Sequence, residues 1–454
     1  MLQERIEGKW LAAFRRVFAL NGIGKGTKLA IISETQSRPV LIQLCELAAY
    51  DLGAEFCMIQ MPTPPQSAPV PVKSTGTSWA IQGNRAVIEA LKLQDIIVDC
   101  TVEGLIHAPE WPEIEDAGRA RLLVITNEHP EILERTEPKA EHAARVTLGI
   151  QMLKEAREMR VTSAAGTDLT IDLRDAPCGG TPGFGTTPGA VAHWPGGLCL
   201  AFPGKNTVNG RIVMDVGDMN LTFKTFLTSR IDCTVENDFV TAIKGDGIDA
   251  LHFREYMEAW EDKNAYGISH VGWGVHPGAK WVSAAMYDKR DMQAVEFRAL
   301  PGSFLWSTGA NQYAGRYTLG HFDLPMRNCT IALDGRVVVK DGVLQGMSIG
   351  YCVKDYTRDQ ESGVYLLKKL KCYEYSFVTL PMNPEAEFTD IKSIDALETV
   401  RDCETYLRDV GGMSSKQAKR FISIIKNGRD DQDDKDQELA SKLKQLAQRM
   451  EVNK

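Results

Sequence analysis

Between residues 28 and 126 the chain alternates short, almost wholly apolar runs with helical stretches, and this alternation restricts the fold more than any other feature. Residues 28–32, 54–61, 95–100 (DIIVDC) and 122–126 (LLVIT) read as buried strands, and residues 37–52 and 85–92 have helical periodicity. Strands separated by helices favour a parallel sheet covered on both faces. Ligands of such sheets bind at the carboxyl ends of the strands. The loop 101–112 leaves the DIIVDC strand at that end and carries His107.

A helix near 138–159 leads into a different texture. From 161 to 342 short β runs are punctuated by Gly, Asn and Asp, and Asp334-Gly335 between two of them signals a hairpin. After 345, three strand-like runs (347–353, 364–370, 373–380) precede helical stretches at 395–410 and 414–427. A charged stretch, RDDQDDKDQ, then leads to a short helix with Leu439, Leu443, Leu446 and Met450 at heptad spacing. The expected fold class is α/β, with a parallel-sheet N-terminal domain (1–160). A β-rich α+β metal-binding domain (161–342) follows, then a partial β-rich segment with terminal helices (345–427) and a charged linker with a terminal helix (428–454).

With 454 residues, 43% of them hydrophobic, the chain has material for two to four domains of about 100–200 residues each. A net charge of −8 argues against a broad nucleic-acid surface. No apolar run is long enough to span a membrane, and the N-terminus lacks a secretory pattern. Ten cysteines without a CxxC pair read as reduced thiols of a cytoplasmic protein. The glycines of GIGKG precede the first strand and are followed by no GK[ST], so they carry no nucleotide-loop meaning.

The segment Gly320-His321-Phe322-Asp323 concentrates the chemistry. Strand side chains alternate, so His321 and Asp323 face the same way and can chelate one metal. A second histidine would complete a two-histidine, one-carboxylate face with open positions, the arrangement of non-haem Fe(II) oxygenases. The bland reading of an isolated triplet is a buried, hydrogen-bonded histidine. His270 and His276, in GISHVGWGVHP, both offer the third ligand, and spacing does not choose between them. His193, in AHWPGG after a glycine- and proline-rich loop, reads as an acid–base group or as a packing residue at a turn.

Together, AHWPGG, GISHVGWG, ALPGSFLWSTGAN and HFDLPMRNC resemble the 2,5-dihydroxypyridine 5,6-dioxygenase family of nicotinate and nicotine degradation, over residues 28–342. The resemblance implies a mononuclear Fe(II) held by His270, His321 and Asp323, with His193 and His107 as the remaining active-site histidines. It implies ring cleavage of a hydroxylated pyridine with both atoms of O2 incorporated. Trp194 and Trp273 read either as an aromatic wall around the substrate ring or as plain core. The partners expected are a small aromatic molecule and O2, without nucleic acid or membrane, in a homo-oligomer. Two stretches depart from the family pattern: residues 178–188, where an expected acidic residue is missing, and residues 312–320.

The tail has a resemblance of its own. QGMSIGY and LKCYEYSFVTLPMNPEA are similar to the C-terminal half of tailed-phage prohead serine proteases, which points to Ser348 as a vestigial nucleophile. No histidine follows His321, so a base for Ser348 is missing from the tail. The competing reading is a hydrolase, either a metallopeptidase of the thermophilic aminopeptidase type or a protease acting through Ser348.

Overall fold

A computed structural model describes residues 4–70, 77–117, 120–344, 346–358, 365–378 and 419. The chain divides into two compact units, residues 1–386 and 387–454. The expected helical stretches after 395, the charged linker and the heptad lie, apart from residue 419, outside the described residues. The first unit holds the elements that position the site.

Its first sheet has five parallel strands in the order Glu55–Met61, Lys28–Glu34, Ile96–Cys100, Arg121–Ile125, Val191–Trp194. The inner strands are buried on both sides because each side meets helices, whereas the edge strand Glu55–Met61 is largely exposed. Leu29, Ile31, Ile96, Val98, Leu123 and Trp194 pack with helices Gly8–Leu20 and Pro39–Asp51. Ala30, Ile32, Ile97, Leu122 and Val124 pack with helices Arg85–Lys92 and Trp111–Glu115. Val191–Trp194 lies beyond the expected boundary at 160 yet completes this sheet.

The β-rich region forms two further sheets. An eight-stranded antiparallel sheet runs from Phe239–Lys244 to Val343–Leu344. Its Cys329–Leu333 and Arg336–Lys340 strands are joined at Asp334 and Gly335, both with positive φ, as the Asp-Gly signal requires. A five-stranded antiparallel sheet has the order Phe322–Met326, Phe304–Thr308, Ile268–Gly274, Leu198–Ala201, Cys178–Thr181. One shared core draws on both, with Val161, Leu169 and Ile212 from the first and Val271, Trp273, Phe304, Trp306, Phe322 and Leu324 from the second.

In the tail, Gly346–Arg358 pairs with Tyr365–Val378 as a long antiparallel ribbon. The two runs expected separately at 364–370 and 373–380 thus belong to one strand, as far as residue 378.

Candidate metal centre

The apolar face of the Phe322–Met326 strand carries Phe322 and Leu324, so the intervening Asp323 points to the other side of the sheet. Two strands away, the register between Ile268–Gly274 and Phe304–Thr308 slips by one residue between Ile268 and Val271. This bulge keeps both Ile268 and Val271 in the core and turns Ser269 and His270 out on the Asp323 side. Between them stands Ser307, paired with Asp323; its small side chain exchanges contacts with the His270 backbone and leaves room above the sheet.

His321 enters from the residue before its strand. The chain can approach there because Gly309, at φ +117°, lies against it: a Cβ at 309 would stand 2.3 Å from the Gly320 carbonyl oxygen and 2.9 Å from the His321 Cα. The outcome is one buried cluster in which ligand atoms of His270, His321 and Asp323 all lie within 4.8 Å of one another. His270 Nε2 is 3.3 Å and His321 Nε2 3.4 Å from Asp323 Oδ1. The other carboxylate oxygen, Oδ2, accepts a hydrogen bond of 2.7 Å from Arg298.

The hydrogen bonds around His270 fix its tautomer. The Ser269 hydroxyl donates to the Ala310 carbonyl at 2.5 Å, so its oxygen is left to accept from His270 Nδ1 at 3.3 Å. Nε2 then presents a lone pair to Asp323 Oδ1, a buried oxygen with no hydrogen-bond partner. Two acceptors facing each other at this distance repel unless a cation lies between them. Donor atoms bonded to a divalent ion at about 2.0–2.2 Å have separations of this order. The residues present therefore fit a metal, and the set of two imidazoles and one carboxylate suits an ion with open positions.

Charge around the cluster reinforces this. Burial alone would raise the Asp323 pKa, but the Arg298 guanidinium at Oδ2 leads the charges that outweigh it and hold the carboxyl well below its ordinary range. Desolvation lowers His270. Arg298, on the short helix Glu296–Ala299, carries no sequence signal, because nothing about an isolated arginine marks it as a carboxylate's anchor.

His193 lies near the end of the edge strand of the parallel sheet, on the face opposite Trp194. Its Nδ1 is 2.6 Å from the Pro195 carbonyl, which can only accept, so Nδ1 carries the proton and Nε2 is the free base. Burial, then the nearby Arg298, depresses its pKa to about 3. His107 has its ring centroid 5.7 Å from that of His321, and the residue keeps some exposure. Its loop is pinned by the buried Asp99, which accepts from the Thr101 amide and hydroxyl and from the Leu105 amide at 2.6–2.9 Å. In the sequence Asp99 reads only as part of a strand, without this role.

The two tryptophans stand elsewhere. Trp194 packs against Phe14 and donates its indole N–H to the Leu133 and Thr136 carbonyls at 2.9 Å. Trp273 lies in the shared core on the face of the sheet away from His270. Both are fully buried, and neither forms the wall of the metal centre. The aromatic ring beside His270 is Phe202, with centroids 5.8 Å apart, backed by Tyr313 at 5.4 Å. His276 accepts from the Gly278 amide and packs on His142, apart from the cluster. Ser348 lies on the Gly346–Arg358 strand in register with Ser376.

Known proteins resemble this chain in sequence and in fold. A 2,5-dihydroxypyridine 5,6-dioxygenase of Pseudomonas putida is 35% identical over 335 residues, 72% of this chain and 94% of that protein. The solved structure of the 2,5-dihydroxypyridine dioxygenase from Pseudomonas putida KT2440 superposes with a TM-score of 0.69 at 34% identity, covering 73% of this chain and 96% of its own. AmpT from Thermus thermophilus shares the fold at 14% identity and a TM-score of 0.51. Residues 320–400 match the caudovirus prohead serine protease family. The prohead protease of Enterobacteria phage HK97 is 31% identical over 125 residues, and the chain spans about half (53%) of its length. The match to the 2,5-dihydroxypyridine 5,6-dioxygenases covers residues 9–346, and the chain belongs to that family of oxygenases.

Proposed function

We propose that the protein is an Fe(II)-dependent, extradiol-type dioxygenase that opens the ring of a hydroxylated pyridine such as 2,5-dihydroxypyridine with O2. The observation that carries this reading is the unpartnered Asp323 Oδ1 facing two imidazole nitrogens at 3.3 and 3.4 Å. His270, His321 and Asp323 would hold the ion. When bound, Fe(II) would supply open coordination positions, Lewis acidity toward a ring hydroxyl and a path for electron density from the ring to O2.

The remaining work falls to the chain. Arg298 fixes Asp323 by occupying Oδ2, so that Oδ1 stays turned to the two histidines. His193, with Nδ1 held by the Pro195 carbonyl, receives at Nε2 the proton released by a substrate hydroxyl and returns it as the ring opens. His107 stands across from His321 and borders the space a ring would enter. Phe202 offers a flat apolar surface beside His270.

The likeness to AmpT shows the fold alone, and among the described residues a single cluster of metal-ligating side chains converges. A peptidase with two metal ions would need more ligands than these three. Anaerobic loading with Fe(II), then depletion of 2,5-dihydroxypyridine in air, tests the reading. Turnover that requires iron supports it; peptide hydrolysis with zinc or cobalt and no ring consumption overturns it.

A further inference from the structure

A cavity of about 330 Å3 opens at the carboxyl ends of the parallel strands, and none of His107, His193, His270, Arg298, His321 and Asp323 lines it. Its position follows from topology. The first strand, Lys28–Glu34, has its successor Glu55–Met61 on one side and Ile96–Cys100 on the other. The strand order therefore reverses between Lys28–Glu34 and Ile96–Cys100, and the connections leave a crevice there. Ligands of open α/β sheets bind at such a switch point. Glu34, the last residue of the first strand, lines the crevice from the sheet side, with its Oε1 accepting the Ser78 hydroxyl at 2.5 Å.

The opposite wall comes from the β-rich region and carries the other charge. Lys224 donates to the Met292 and Lys289 carbonyls at 2.6 and 3.2 Å, which fixes its ammonium at the cavity. Arg290 stands at the exposed rim. Thr222 is only 3% exposed, and its Oγ1 has no hydrogen-bond partner. A buried hydroxyl left unpaired is unfavourable, so one that lines a cavity marks a place where a polar group belongs. Trp79 adds a flat aromatic surface.

We infer that this cavity is a second binding site, separate from the metal centre, for a small zwitterion with an aromatic-sized body. Its ammonium group faces Glu34, its carboxylate faces Lys224 and Arg290, and one carboxylate oxygen accepts from the Thr222 hydroxyl. The volume, near the lower end of the ~300–1,000 Å3 range of small-molecule sites, suits a ligand of amino-acid size.

Calorimetry on the full Fe(II)-loaded chain, with L-phenylalanine as probe, tests this. Phenethylamine and 3-phenylpropanoate, each lacking one charge, serve as controls. The expected result is saturable binding of one L-phenylalanine per chain, with each control at least about tenfold weaker. Thr222→Val and Arg290→Gln should each weaken L-phenylalanine about tenfold and leave KM for the ring substrate unchanged. Binding should persist in the presence of saturating 2,5-dihydroxypyridine. No saturable binding, or controls that bind as tightly as the zwitterion, overturns the site. Displacement by 2,5-dihydroxypyridine overturns its separateness and makes the cavity a part of the route to the metal.

Discussion

Asp323 shows how much depends on the direction of a single carboxylate. Arg298 takes one oxygen, and the other is left facing His270 and His321. Asp323→Asn should leave little iron bound after anaerobic gel filtration, whereas Arg298→Ala should weaken iron about 10–100-fold through loss of orientation alone. Equal iron content in wild type and Asp323→Asn would contradict the ligand assignment. His193→Ala should keep its iron and lose turnover by roughly 10²–10⁴, the range of a general acid or base. Unchanged turnover would make His193 a packing residue. The buried histidines also set a pH dependence. His193 and His276 are both depressed to about 3, first by burial. In the unfolded chain a histidine titrates near 6.5. As pH falls below that value the unfolded state takes up protons that the folded rings refuse until near pH 3, so stability is lost through this window. The urea midpoint of the metal-free chain should drop between about pH 7 and pH 4.5; a constant or rising midpoint would contradict the neutral assignment.

At the level of elements, the cluster depends on a bulge and a close chain approach rather than on the strands as such. The HxD spacing is legible in the sequence because alternation in a strand is a rule of geometry, and the structure indeed turns Asp323 away from Phe322 and Leu324. The choice of His270 over His276 is not legible from spacing, because the extra residue between Ile268 and Val271 breaks the regular alternation. Trp273 is open to misreading for the same reason. Gly309→Ala tests the close approach: the substitution forces a Cβ against the Gly320 carbonyl at a φ of +117°, and should lower both thermal stability and iron affinity. Retention of wild-type iron affinity would show that His321 does not need this packing. Helix Gly8–Leu20 is absent from the expected elements although Trp10, Phe14, Val17 and Phe18 recur at helical spacing on its buried side. The Val191–Trp194 strand is hidden by its four-residue length, since pairing with Arg121–Ile125, not local pattern, makes it a strand.

At the scale of the whole molecule, the chain joins an oxygenase body to a segment similar to part of a phage protease. Val343–Leu344 still pairs with Arg336–Lys340 at the end of the eight-stranded sheet, two residues past the boundary expected at 342. The α/β beginning and β-rich continuation are legible because hydrophobic period reports local structure; that strands are shared across the boundary at 160 is not, because sheet partners are distant in sequence. A chain ending after Leu344 should keep its dioxygenase activity, and Ser348→Ala in the full chain should change nothing measurable, since no histidine follows His321 in the sequence and a serine hydroxyl needs a base to become a strong nucleophile. Self-cleavage that stops in Ser348→Ala would instead make the tail the working part. The most direct test of the central claim uses isotopic oxygen. With the Fe(II)-loaded chain, 2,5-dihydroxypyridine and ¹⁸O2, both labelled atoms should appear in the ring-opened product; label in neither position, or an intact ring, would contradict the assignment of a ring-cleaving dioxygenase.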